Sequence, residues 1–171
     1  MKILAVSGSL RAASTNIALL RAMALLAPPE AAFRLAEPLD RLPHFNPDHD
    51  GEDPPDAVRA WRDELGAASA VVFCTPEYAH GIPGTFKNAL DWDVSSGKLY
   101  RKPALVVSAS PYGGARAGAA LLQVLGAMQV NVVREIEVLV RRETFDAEGR
   151  LVDSTIAETL KAGLKTLVDA A

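Results

Sequence analysis

The chain has one cysteine, Cys74, and only three histidines in 171 residues. A lone thiol cannot close an internal disulfide, and no Cys/His spacing along the chain matches a zinc site. That usage fits a reducing compartment, so a cytoplasmic protein is expected. Long apolar runs are missing as well. Ile3 to Val6 is shorter than the roughly 7–15 residues of a signal-peptide core, and nothing approaches the ~20 apolar residues of a membrane span. No membrane role is therefore expected. An excess of one charge is also lacking: 18 basic against 21 acidic residues leave a net charge of −3, which offers nucleic acid no basic surface. With 49% hydrophobic and 23% charged residues, the chain reads as one globular domain spanning residues 1–171. A domain of that length buries most of its apolar surface without disulfides or metals.

The hydrophobic pattern alternates between short apolar runs and helix-like segments. Lys2 to Val6 is too short for a helix and suits a strand buried on both faces. Asn16 to Leu26 follows at helical spacing and stops at Pro28 and Pro29. Phe33 to Leu35 is a weak second strand. Pro38 to Pro55, which holds His44 and His49, reads as an irregular surface loop. Asp56 to Leu65 is a helix, and Ala70 to Thr75 and Pro103 to Ser110 are the clearest strands. Between those two, Gly84 to Asp93 reads as a helix with Pro83 near its first turn. Arg116 to Met128 is a further helix opened by Gly113 and Gly114. A last strand lies within Val130 to Val140, and Ser154 to Val168 closes the chain as a helix with Ser154 as N-cap.

Strands alternating with helices imply an α/β fold, a parallel sheet covered on both faces. Five such units suit a flavodoxin-like three-layer sandwich, a five-stranded parallel sheet in the order 2-1-3-4-5. Ligands of such sheets sit outside the carboxyl ends of the strands, at the point where the strand order reverses. Function should then reside in three loops.

The first is "VSGSLRAASTN", Val6 to Asn16. It brings the hydroxyls of Ser7, Ser9, Ser14 and Thr15, the amide of Asn16 and the guanidinium of Arg11 to a helix N-terminus, where unpaired N–H groups attract phosphate. Simple capping by Ser14 or Thr15 explains one of those hydroxyls. Gly8-Ser9-Leu10 breaks the dinucleotide fingerprint, and no Walker loop occurs anywhere. The first strand also lacks the acidic cluster of a receiver domain.

The second loop is "TPEYAHGIPGTFKNALDW", Thr75 to Trp92. Pro76, Gly81, Pro83 and Gly84 suggest a special backbone that lets main-chain groups approach a flat hydrogen-bonding ring, with Tyr78 and His80 beside it. The third is "SPYGGARA", Ser110 to Ala117.

With these three stretches in this order, the chain resembles the NADPH-dependent FMN reductase family, flavodoxin-like enzymes that include quinone, azo-dye and chromate reductases. The resemblance implies FMN as cofactor and NADPH or NADH as co-substrate. It implies that Ser9, Arg11, Ser14, Thr15 and Asn16 hold the FMN phosphate. Pro76, Glu77, Tyr78, His80 and Gly81 then line the ring, mostly through backbone groups, while Ser110, Gly113 and Gly114 border it. Many members carry Asn where this chain has Ala79. In the family the helix after the second loop commonly joins a dimer interface, which would account for Trp92 at an otherwise polar helix end. A homodimer or homotetramer is expected, with a small-molecule electron acceptor as the other partner.

The flavin supplies the redox chemistry and the protein supplies orientation and electrostatics, so no catalytic side chain is required. With no second dinucleotide fold, reductant and acceptor would take turns in a ping-pong sequence. Two alternatives remain on the sequence alone: a flavodoxin-type electron carrier, for which −3 is a weak docking charge, and a phosphate binder without redox function. Cys74 reads as an inert core residue, and His44 and His49 as solvated. Glu77 reads as a residue that orients its loop or meets a partner subunit, and Arg116 as part of a helix start.

Overall fold

The computed structural model describes residues 1–171, the side chain of Arg142 excepted. In chain order it holds β1 (Lys2–Ser7), α1 (Thr15–Leu26), β2 (Ala32–Leu35), α2 (Asp56–Ala67), β3 (Ala70–Thr75), α3 (Gly84–Asp91), β4 (Pro103–Ser110), α4 (Ala115–Ala127), β5 (Asn131–Leu139) and α5 (Ser154–Asp169). The strands form one sheet in the order β2-β1-β3-β4-β5, and every neighbouring pair is parallel. The order reverses beside β1, so the loops after β1 and β3 flank the switch point, where open α/β sheets bind ligands.

The apolar runs become central strands because both of their faces are covered. Every residue of β3 is buried, and β4 is buried from Ala104 to Ser110. The two-residue period then sorts side chains between two cores. Leu4, Val6, Val71, Phe73, Ala104 and Val106 meet α2, α3 and α4. Ile3, Ala5, Val72, Cys74, Leu105 and Val107 meet α1 and α5.

Three sequence expectations change. The N-cap of α5 is Asp153, whose carboxylate accepts the N–H of Ile156 at 3.0 Å, while Ser154 is already helical. The segment between Pro38 and Pro55 is not merely a solvated loop, since two short 3₁₀ turns shape it and Leu39 is buried. Within it, Phe45 meets the Trp92 ring edge-on at 5.0 Å. Trp92 itself is fully buried, and its indole N–H donates to the Pro43 carbonyl at 2.8 Å. Its place at the end of α3 is therefore explained by this chain's own segment, and no partner subunit is needed to cover it.

Cys74 is fully buried, and burial pushes its thiol well above the ordinary range. The Sγ lies 3.2 Å from the Asn16 Oδ1 and donates to it. A disulfide reagent such as DTNB should therefore leave the folded protein unlabelled and react only on unfolding. Stoichiometric labelling of the native protein within minutes would contradict this.

Candidate functional site

The site is assembled from three loops at the carboxyl edge of β1, β3 and β4. Gly8 starts the first, and its N–H donates to the Cys74 carbonyl at 2.8 Å, so this loop is stitched to the end of β3. A Cβ at Gly8 would lie 2.6 Å from the Phe86 Cδ1, which makes Gly8 the point where α3 presses on the first loop.

Most of the polar side chains in this loop already have work. Ser7 Oγ accepts from the Ser9 N–H, Ser9 Oγ accepts from the Arg11 N–H, and Ser14 Oγ caps α1 through the Ile17 N–H. Asn16 is turned inward and buried. Its Nδ2 donates to the Ala109 carbonyl at 3.3 Å and its Oδ1 accepts from Cys74, so the side chain ties α1 to β3 and β4. The hydroxyls thus shape the loop more than they decorate it.

What the loop leaves over is a row of backbone donors. Among the described residues, the amides of Leu10, Ala12, Ala13, Ser14, Thr15 and Asn16 find no partner in the chain. Arg11 is exposed and makes no ion pair there, and the first turn of α1 carries no acid. Open amides, a helix dipole and a guanidinium without a counter-charge fit a phosphate monoester.

The N-terminus of α4 is the opposite case. The Gly114 N–H donates to Glu137 Oε1 at 2.8 Å, and the N–H groups of Arg116 and Ala117 each donate to Glu77 Oε2 at 3.2 Å. Two carboxylates brought from elsewhere already fill that end. The phosphate-compatible helix start is therefore α1.

The second loop owes its shape to a two-residue turn. Tyr78 and Gly81 exchange N–H to carbonyl bonds of 2.9 and 3.0 Å, and the residues between them, Ala79 and His80, have φ of 49° and 64°. The sequence places the backbone freedom on Gly81 and Gly84, whereas the left-handed positions are these two non-glycines. The turn uses the amides of Tyr78 and Gly81, which leaves those of Glu77, Ala79 and His80 without a partner among the described residues. Those three can meet the edge of a ring. Asn is favoured at the first position of such a turn, which Ala79 occupies. Ala79→Asn should raise the unfolding free energy by about 1 kcal/mol by easing left-handed strain. A denaturant titration with an equal or lower midpoint would refute it.

Glu77 joins the second loop to the third. The N–H of Ala117 is the main cause that holds its carboxyl below the ordinary range, opposed in part by burial and helped by the N–H of Arg116. The Arg116 Nη1 lies 2.6 Å from His80 Nδ1. Arginine only donates, so Nδ1 accepts and the imidazole carries its proton on Nε2. Glu77 Oε1, 3.3 Å from the same nitrogen, then faces a lone pair and gains no bond from it. Because the folded carboxyl is depressed, the Glu77 tie is present above the unfolded value and is lost as pH falls through the folded one.

In the third loop, Ser110 Oγ donates to the Gly113 carbonyl and accepts from the Tyr112 N–H, and Gly113 takes φ 88°. Tyr112 at the tip is 98% exposed. Leu10 and Tyr78 are exposed large apolar side chains in the other two loops. Each loop thus offers one apolar side chain at the rim, which suits a flat aromatic ligand. Sequence reasoning passed over Leu10 and Tyr112. The available signal was a large apolar residue inside a stretch of Gly, Ser and Pro.

Residues 1–144 match the model of the NADPH-dependent FMN reductase family. The chain belongs to that family. It is 36% identical over 173 residues to the NAD(P)H-dependent FMN reductase PA1204 of Pseudomonas aeruginosa, covering 98% of this chain and 93% of that protein. It is also 36% identical over 157 residues to a quinone reductase of Pseudomonas putida, covering 88% and 84%. The structure superimposes on FerB, a flavoenzyme NAD(P)H:(acceptor) oxidoreductase from Paracoccus denitrificans, with a TM-score of 0.87 and 31% identity, covering 98% and 95%. This family member is an oxidoreductase of flavodoxin-like fold that uses FMN and NAD(P)H. No described helix is long and apolar enough to cross a membrane.

Proposed function

We propose that the chain oxidises NAD(P)H through FMN held at the carboxyl edge of the sheet and passes the electrons to a quinone, a flavin or a similar small acceptor. The observation that carries this is the row of open amides from Leu10 to Asn16 beside Arg11, at the one helix start among the three loops that holds both an unpaired guanidinium and no acid. The relatives named for FMN and quinone reduction support the acceptor class.

On this reading Arg11 and the amides of Ser14, Thr15 and Asn16 bind the phosphate. Ser9 holds the loop in shape, Ser14 also caps α1, and the Asn16 side chain fixes α1 against the sheet. Pro76, Glu77, Tyr78, His80 and Gly81 form the loop under the ring, with the amides of Glu77, Ala79 and His80 as donors. Ser110, Gly113 and Gly114 border it. When bound, FMN supplies two-electron transfer between nicotinamide and acceptor. The described residues form one five-stranded sheet with one switch point, so reductant and acceptor use the same open face in turn and the kinetics are ping-pong. The single cysteine supports a cytoplasmic location, and the family resemblance supports a homodimer or homotetramer, which sedimentation in solution tests.

The test is direct. Purified protein should be yellow with bound FMN and should oxidise NAD(P)H with a quinone and no second protein, giving parallel double-reciprocal lines. A colourless protein that takes up no FMN would overturn the reading, and a dependence on a separate reductase would favour an electron carrier.

A further inference from the structure

The end of α4 is capped in an unusual way, and the reason is steric. Gly114 is its N-cap, and no side chain there accepts a hydrogen bond. A Cβ at Gly114 would lie 2.8 Å from the Ser108 Cβ and 3.1 Å from the Ser108 carbonyl carbon, so the helix start is pressed onto β4. A Ser, Asp or Asn cap, the usual solution, has no room. The first-turn amides must be satisfied from outside the helix.

Glu77 does that for Arg116 and Ala117, across 39 and 40 residues of chain. Glu77 is also the residue next to the Tyr78–Gly81 turn. The carboxylate that closes α4 therefore sets where the second loop sits. The Arg116 to His80 contact closes a ring: Glu77 to the Arg116 backbone, the Arg116 side chain to His80, and His80 back along the chain to Glu77. Its donors toward a ligand, the amides of Glu77, Ala79 and His80, lie within that ring.

From this geometry we infer that Glu77 is a positioning residue for flavin binding, whose side chain anchors the ring loop to the start of α4 and does not itself contact the flavin. This rests on FMN as the ligand. The carboxylate faces the amides of α4, so the functional output of Glu77 is the placement of its neighbours' N–H groups. What matters most is an acceptor oxygen at this reach, and the charge adds a smaller contribution, because the positive end of the α4 dipole favours an anion by about 0.3–1 kcal/mol.

Glu77→Gln keeps an acceptor oxygen at the same reach and removes the charge. Glu77→Ala removes both, and Glu77→Asp keeps the charge but falls one methylene short. The readout is the dissociation constant of FMN for each apoprotein, followed by flavin fluorescence well below the melting temperature, with apoprotein melts and the visible spectrum of bound FMN alongside. The Ala variant should bind FMN about tenfold more weakly and the Gln variant within about threefold of the parent. The Ala variant should also show a shifted flavin spectrum. Unchanged FMN affinity in Glu77→Ala, with only a lower apoprotein melting temperature, overturns the inference. So does equal weakening in Gln and Ala, because charge would then carry the effect. If the Ala variant does not fold, the comparison of Asp with Gln decides: weaker binding by Asp supports positioning, and weaker binding by Gln overturns it. A parent protein that binds no FMN would sink the underlying reading, whereas a parent and a Glu77→Ala protein that bind equally sink this inference alone.

Discussion

Replacing Arg11 and Ser14 together with alanine should strip the protein of FMN. Arg11 is the charged group of the first loop, and a hydrogen bond to a charged ligand contributes about 1.5–3 kcal/mol. Ser14 holds the first turn of α1 open toward the same point by capping Ile17 at 3.3 Å, and loss of such a cap costs about 1 kcal/mol. The combined loss, about 2.5–4 kcal/mol, corresponds to a dissociation constant raised roughly 70- to 800-fold. Gel filtration should then deliver colourless protein that regains flavin only at high FMN concentration. The Arg11→Ala single variant separates the two contributions, because its apoprotein should melt like the parent while the Ser14→Ala apoprotein melts lower. Retention of flavin as tight as in the parent would remove the phosphate from this loop.

The second large effect is expected at Gly8. An alanine there places its Cβ 2.6 Å from the Phe86 Cδ1, and Phe86 is fully buried, tilted against Phe73 at 5.8 Å between centroids. The ring cannot swing away without opening the core, so Gly8→Ala should destabilise by about 1–3 kcal/mol, the usual cost of overpacking. FMN affinity should fall as well, since the alternative is displacement of the first loop. Adding Phe86→Leu should recover part of the loss, giving a clearly non-additive cycle. Denaturant midpoints of the four proteins decide it. Additivity within error would mean that Gly8 and Phe86 do not press on each other.

Much of this was readable from residue order. The strands Lys2–Ser7, Ala70–Thr75 and Pro103–Ser110 are apolar on both faces because helices cover both faces, and that pattern leads straight to the parallel sheet. The first loop was legible because small polar residues and an arginine interrupt the step from strand to helix. Contacts between distant residues were not legible. Nothing near Gly114 in sequence announces that Glu77 and Glu137 will serve its helix. Nothing near Trp92 announces that Pro43 and Phe45 will cover it. The left-handed turn at Ala79 and His80 was also hidden, because alanine disfavours that conformation and the closing bonds between Tyr78 and Gly81 impose it.

The borrowed caps of α4 bear on the order in which the molecule assembles. A helix with its own Ser or Asp at the start can nucleate as soon as that stretch leaves the ribosome. The start of α4 waits instead for Glu137, which is synthesised 23 residues after Gly114. Its opening turn should therefore fray in nascent chains until β5 docks, and the last of the three loops to set should be the one after β4.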